Sequence, residues 1–167
     1  YRLLSLEKDE LYELFEAKCF KALNVTIPYK QDALSLCDIV SDEAKMIGSV
    51  NTVVNKNGTL YGYNTDFYGL KALIERQNVS LRGKSVAILG SGGTSNTAFA
   101  VANNMGATEI LRVSRESKDG YVTYNELYDN HSDIDVLINT TPCGMFPNIY
   151  KSAVDIKNFP NLSAVFD

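Results

Sequence analysis

Between Lys8 and Lys18 the apolar positions Leu11, Leu14 and Phe15 recur three and four residues apart among charged neighbours, a spacing that predicts an amphipathic helix. Before it, Tyr1 to Leu6 reads as a strand already under way; after it, Phe20 to Ile27 reads as a short strand that Pro28 ends. Pro28 can also open the next helix, in which Ala33, Leu36, Cys37 and Val40 share one face. Ser41-Asp42-Glu43 supplies a cap and an acidic first turn for a short helix closing at Gly48. Two alternating runs, Ser49 to Asn55 and Thr59 to Tyr63, flank Asn57-Gly58, the dipeptide a tight hairpin turn demands. From Asp66 a helical pattern returns, with Phe67, Leu70 and Ile74 inward, and it ends near Asn78.

The polar connector Ser80 to Lys84 marks a domain boundary, dividing the chain into residues 1–79 and 80–167. Beyond it the rhythm changes to short apolar runs alternating with helical patterns, the mark of a parallel α/β sheet. Ser85 to Leu89, Glu109 to Val113, Asp135 to Ile138 and Leu162 to Phe166 are the expected strands. Ala98, Val101, Ala102 and Met105 line one face of the helix after the first of them, and Gly106 stops it. The expected fold is therefore α/β: an N-terminal α/β domain followed by a Rossmann-like, doubly wound parallel sheet. Both ends read as strands in mid-course, so the chain is expected to be part of a longer protein.

Composition narrows the function classes. In 167 residues, 16 Lys+Arg against 20 Asp+Glu leave a net charge of −4, which argues against a nucleic-acid partner because phosphate neutralisation needs a basic face. A membrane is not an expected partner either, since no apolar run approaches the roughly 20 residues of a spanning helix. Cys19, Cys37 and Cys143 are odd in number and widely spaced, fitting neither a disulfide framework nor a metal site, so a cytoplasmic location is expected. His131, alone among polar residues, reads as a solvated loop residue.

Val86-Ala87-Ile88-Leu89 breaks into Gly90-Ser91-Gly92-Gly93-Thr94 and then into a helical pattern. A strand, a glycine turn and a helix N-terminus in succession let a phosphate approach bare backbone, so Gly90, Ser91, Gly92 and Gly93 are candidates for a dinucleotide pyrophosphate. Ser95 stands where the third small residue of that fingerprint falls. The second strand ends in Val113-Ser114-Arg115-Glu116. An acid there would hold the ribose 2′-OH of NAD, whereas Arg115 suits the 2′-phosphate of NADP; Glu116 could pair with Arg115 or take the ribose, so both cofactors stay open on these residues alone. The third strand ends in Asn139-Thr140-Thr141-Pro142-Cys143-Gly144-Met145, a polar turn at the carboxyl end where α/β sheets bind ligands.

Three segments of the first half set polar residues at turn points: Asn24-Val25-Thr26-Ile27-Pro28-Tyr29-Lys30, Val50-Asn51-Thr52-Val53 and Asn64-Thr65-Asp66. Singly they read as edge amides, a solvated lysine and, at Asp66, a helix N-cap worth about 1 kcal/mol. Together, amides and hydroxyls suit a polyhydroxylated ligand, and a Lys–Asp pair can pass a proton to or from a hydroxyl or carbonyl in metal-free alcohol oxidation.

These segments, with Gly48-Ser49-Val50-Asn51-Thr52, Gly62-Tyr63-Asn64-Thr65-Asp66, the glycine turn and the Asn139–Met145 turn, follow one another as in the shikimate dehydrogenases, and the chain resembles that family from about Phe20 to Asp167. The resemblance implies NADP-dependent interconversion of 3-dehydroshikimate and shikimate on the way to chorismate. It implies a catalytic pair of Lys30 and Asp66, with Asn24, Thr26 and Asn51 lining the substrate pocket. Gly90, Ser91, Gly92 and Gly93 would cradle the pyrophosphate, Ser114 and Arg115 would stand at the adenosine phosphate, and Thr140 would complete the cofactor site. Two departures stand out: many members have an arginine at the position of Asn96, and an Asn-Arg-Thr sequence where this chain has Ser114-Arg115-Glu116. A serine-containing substrate segment and a tyrosine and a glutamine of the family are not assignable in these 167 residues. Relatives acting on quinate with NAD share the scaffold, as would an inactive nucleotide-binding fragment. A homodimer is compatible with the resemblance, although no residue locates an interface.

Overall fold

The computed structural model describes residues 1–147 and 149–167, which form two compact units, 1–66 and 67–167. In the first, α1 (Lys8–Ala17) precedes β1 (Ala22–Asn24), α2 (Lys30–Leu36), β2 (Ile39–Val40), α3 (Asp42–Ile47), β3 (Thr52–Lys56) and β4 (Thr59–Tyr63). The strands form one mixed sheet in the order β1-β3-β4-β2, with β2 parallel to β4 and the other pairs antiparallel. The β3–β4 hairpin turns on Asn57 and Gly58, both at positive φ (54° and 88°), the pair of left-handed residues such a turn requires. Leu11 and Phe15 of α1 pack with Val25, Ala33, Ala44, Val50, Val53 and Leu60 in a single apolar cluster, as the helical spacing anticipates.

Two expectations are corrected here. Tyr1 to Leu6 joins no strand ladder, and several of its side chains are exposed. Val40 does not extend a helix from Pro28: α2 stops at Leu36, and Ile39-Val40 pairs in parallel with Tyr61-Gly62. Both residues are apolar and β-branched, so with no turn signal between them and the helix, periodicity alone did not separate the two elements.

α4 (Thr65–Arg76) leads into the second unit, followed by β5 (Ser85–Leu89), α5 (Gly93–Asn104), β6 (Glu109–Ser114), β7 (Val122–Thr123), α6 (Tyr124–Asn130), β8 (Val136–Asn139), a 3₁₀ turn at Ile156–Asn158 and β9 (Ala164–Phe166). The sheet is wholly parallel, in the order β7-β6-β5-β8-β9. Central β5 is buried from Val86 to Leu89, as a strand covered on both faces must be. Chain order runs outward from β5 through β6 and β7, then reverses to β8 and β9, so the topological switch point lies between β5 and β8.

β7 and α6 are absent from the sequence expectations. The strand is two residues long, and the helix announces itself only through the capping box in which Thr123 Oγ1 accepts from the Glu126 N–H and Glu126 Oε2 accepts from the Thr123 N–H.

Beneath the sheet, Asp135 accepts from Lys84 Nζ (2.7 Å), the Ser85 N–H (2.9 Å) and Ser85 Oγ (3.0 Å), tying the start of β5 to that of β8. The lysine hydrogen bond first, then the backbone N–H, holds this carboxyl below its ordinary 3.8. A lowered folded-state pKa contributes stability that is fully present above the unfolded value and is lost as pH falls through the folded one. Asp135→Ala is therefore expected to cost about 1–3 kcal/mol at neutral pH, with the gap from the parent closing towards about pH 2, as urea denaturation at the two pH values will show.

Candidate active site

Lys30 opens α2, and Asp66 sits in the first turn of α4. Lys30 Nζ donates to Asp66 Oδ2 at 2.9 Å. A carboxylate in a first turn complements the helix dipole, whereas an ammonium at the same end opposes it, so Lys30 gains nothing from its own helix. The two side chains are 31% and 52% exposed, and a pair that wet contributes about 0–1 kcal/mol. Stability does not account for this pair.

The scaffold around it is tight. The Val50 N–H donates to the Lys30 carbonyl at 2.8 Å, fixing the first residue of α2 against the segment that carries Asn51. Asn51 Oδ1 accepts from the Thr65 N–H (2.9 Å), Thr65 Oγ1 (3.1 Å) and Thr52 Oγ1 (3.0 Å). Because the Thr65 amide can only donate, the Asn51 oxygen faces it, and Nδ2 points away with no acceptor among the described residues. Asn51, 7% exposed, thus holds an oriented N–H₂ group in reserve. Asn24 Nδ2 donates to Thr52 Oγ1 at 3.3 Å, joining the same network from β1. Thr26 is exposed, and its hydroxyl donates to the Ile27 carbonyl at 3.4 Å.

Asn64, not Asp66, caps α4. Its Oδ1 accepts from the Asp66 N–H at 3.1 Å, and its Nδ2 donates to Ser49 O (3.1 Å) and Ser49 Oγ (3.0 Å), with the side chain fully buried. This frees the Asp66 carboxylate for Lys30. The clue lay in Asn64-Thr65-Asp66, where a cap one residue before the helix suits asparagine as well as aspartate.

In the second unit, Gly90, Ser91, Gly92, Ser114, Arg115 and Thr140 line one cavity of about 570 Å³ at the switch point; Gly93 opens α5 at its edge and is not among the lining residues. Gly92 is the N-cap of α5, and no side chain caps the first turn, which leaves that helix end free for an anion. Gly90 lies at φ 113°, where a Cβ would meet Thr140 Oγ1 at 2.8 Å. Thr140 Oγ1 itself donates to the Leu89 carbonyl at 2.7 Å, so backbone, hydroxyl and glycine form one close-packed cradle. These features fit a dinucleotide. Sequence reasoning missed Tyr124 and Ser152, which also line the cavity, because α6 and the loop beyond β8 gave no strong periodic signal. Burial raises the Tyr124 hydroxyl above its ordinary 10.0. Among the described residues no group of three His, Cys, Asp or Glu could hold a metal, and no helix is long and apolar enough to cross a membrane.

A mixed-sheet unit carrying a Lys–Asp pair and a parallel-sheet unit with an uncapped glycine turn at its switch point define a two-unit α/β protein whose second unit has Rossmann-like topology. The family model for the shikimate dehydrogenase substrate binding domain matches residues 1–53. A shikimate dehydrogenase (NADP(+)) of Clostridium perfringens strain SM101 is 39% identical over 180 aligned residues, covering 100% of this chain and 66% of the relative. Among solved structures, shikimate dehydrogenase 1 from Peptoclostridium difficile superposes with a TM-score of 0.75 at 32% identity, covering 97% of this chain and 63% of that one. Shikimate 5-dehydrogenase from Thermus thermophilus, solved in complex with NADP(H) and shikimate, gives 0.76 at 26% identity, covering 94% and 60%. The chain belongs to the shikimate dehydrogenase family, and it spans 66% of the length of that Clostridium perfringens relative.

Proposed function

We propose that the protein interconverts 3-dehydroshikimate and shikimate with NADP(H), and that Lys30 and Asp66 are its acid–base pair. The observation that carries the reading is the 2.9 Å contact between two half-exposed groups that stability does not explain. In the reduction, Lys30 gives a proton from Nζ to the oxygen of the reacting carbonyl; in the oxidation it takes the proton back from the hydroxyl. Asp66 orients the ammonium and keeps a negative charge beside it. The free Nδ2 of Asn51 donates to a ring oxygen, and Asn24 and Thr26 complete the polar lining. A bound nicotinamide supplies or accepts the hydride.

Residues 80–167 take the dinucleotide, with the pyrophosphate on Gly90–Gly93 and Arg115 and Ser114 at the adenosine side, while residues 1–79 serve the substrate. The relatives named for NADP(+) and the Thermus thermophilus complex support this cofactor. A second reading takes NAD in place of NADP, as the quinate-acting alternative does, and one feature favours that cofactor: Glu116 lines the same cavity as Arg115 and could hold an unphosphorylated ribose. Initial rates of nicotinamide absorbance with the complete protein, for shikimate and quinate each paired with NADP and NAD, decide between them. The fastest pair is expected to be shikimate with NADP; no absorbance change with any pair would overturn the dehydrogenase reading itself.

A further inference from the structure

Arg112 has no part in the site so far described, yet it is built unlike a solvated arginine. It lies on β6, half-buried, its guanidinium 5.5 Å from the Phe99 ring centroid and 4.4 Å from that of Tyr121. Nη2 donates a short hydrogen bond to Asn96 Oδ1, in the second turn of α5. Nε is buried and has no partner among the described residues. An arginine that has been taken partly out of water, set over two rings and left with a buried N–H unpartnered is a receptor prepared for an anion.

Its place on the strand says which anion. Arg112 and Ser114 are two residues apart on β6, so they project from the same face with Cα atoms about 6–7 Å apart. Ser114 lines the nucleotide cavity, and Asn96 sits one turn beyond the helix end that faces the pyrophosphate. The charged residues lining that cavity, Arg115 and Glu116, are of opposite sign and cancel at a distance. A phosphate on the adenosine ribose brings about −1.5 to −2 charges, more than the single positive charge of Arg115 answers. A further positive charge, Arg112, stands one step down the strand.

Resting on the dinucleotide reading above, we propose that Arg112 is a specificity-determining residue for the 2′-phosphate of the cofactor, clamped by Phe99, Tyr121 and Asn96 so that its unpartnered N–H and its charge favour the phosphorylated over the plain ribose. The test is calorimetric titration of the complete protein with 2′,5′-ADP and with 5′-AMP. Arg112→Met is expected to weaken 2′,5′-ADP about tenfold or more while moving 5′-AMP less than about twofold. Equal losses for the two ligands in a folded variant, or no loss for either, overturn the proposal.

Should Arg112→Met fail to fold, the parent protein carries the test by NMR. The Arg112 Nε–H resonance is expected to shift on adding 2′,5′-ADP and to stay in place with 5′-AMP, and identical responses to both ligands overturn the proposal. If the parent binds neither nucleotide, it is the dinucleotide reading that fails, an outcome distinct from either result on Arg112.

Discussion

Replacing Lys30 by Ala is expected to lower kcat by about a hundredfold to ten-thousandfold, the range a positioned general acid contributes, while KM changes much less. The split follows from geometry. Nζ is the group with a transferable proton in the Lys30–Asp66 pair, whereas the substrate contacts proposed above are shared among Asn51, Asn24 and Thr26, which the substitution leaves in place. A fold effect is not expected to confuse the result, because the lost ion pair is exposed and is worth about 0–1 kcal/mol, and the Lys30 carbonyl still accepts from the Val50 N–H. Steady-state kinetics together with a melting curve check both halves. Near-normal turnover in a folded variant would remove Lys30 from the chemistry, and a rise in KM with kcat intact would make it a binding residue only.

Gly90→Ala is expected to act from the opposite end of the protein's function. At φ 113° an alanine is strained by about 1–3 kcal/mol wherever it has room, and here it has none. The new methyl group would press on Thr140 Oγ1 at 2.8 Å and on Thr141 Cγ2 at 3.1 Å. Relief requires Thr140 to move, which breaks its 2.7 Å bond to the Leu89 carbonyl and shifts the turn after β8 together with the turn after β5. Nucleotide affinity should therefore drop by about tenfold or more, with a lower melting temperature, and titration with NADP(H) plus a thermal scan will show it. Unchanged affinity in Gly90→Ala would mean that no ligand uses this cradle.

Much of this was legible in the sequence, and the reasons differ from place to place. Asn57-Gly58 announced its hairpin because two consecutive left-handed residues are a demand few dipeptides meet. Val86 to Leu89 announced a central parallel strand because burial on both faces leaves no polar alternation. Lys30 and Asp66 are 36 residues apart, and no spacing rule brings them together; the chemistry of the polar turn segments and the pattern shared with a family pointed to the pair, and the fold then supplied the contact. The capping role of Asn64 was hidden because its neighbour Asp66 is equally good at that task on paper, and the choice is made by Ser49, which offers a carbonyl and a hydroxyl to the asparagine amide. Arg112 was silent for a related reason: its meaning lies in Phe99, Tyr121 and Asn96, which come from two other parts of the chain.

The anchoring of Asn51 fixes which kind of ligand atom its side chain can meet. With its oxygen taken by three donors, the side chain cannot turn over to accept, so whatever it meets is met as a lone pair. An alcohol oxygen and a ketone oxygen both offer lone pairs, and a purely donating contact does not distinguish them. On the function proposed above, the Asn51 N–H₂ group would donate to the ligand in its oxidised and its reduced form alike. On the function proposed above, one donated hydrogen bond serves substrate and product alike, and neither has to wait for the side chain to turn over.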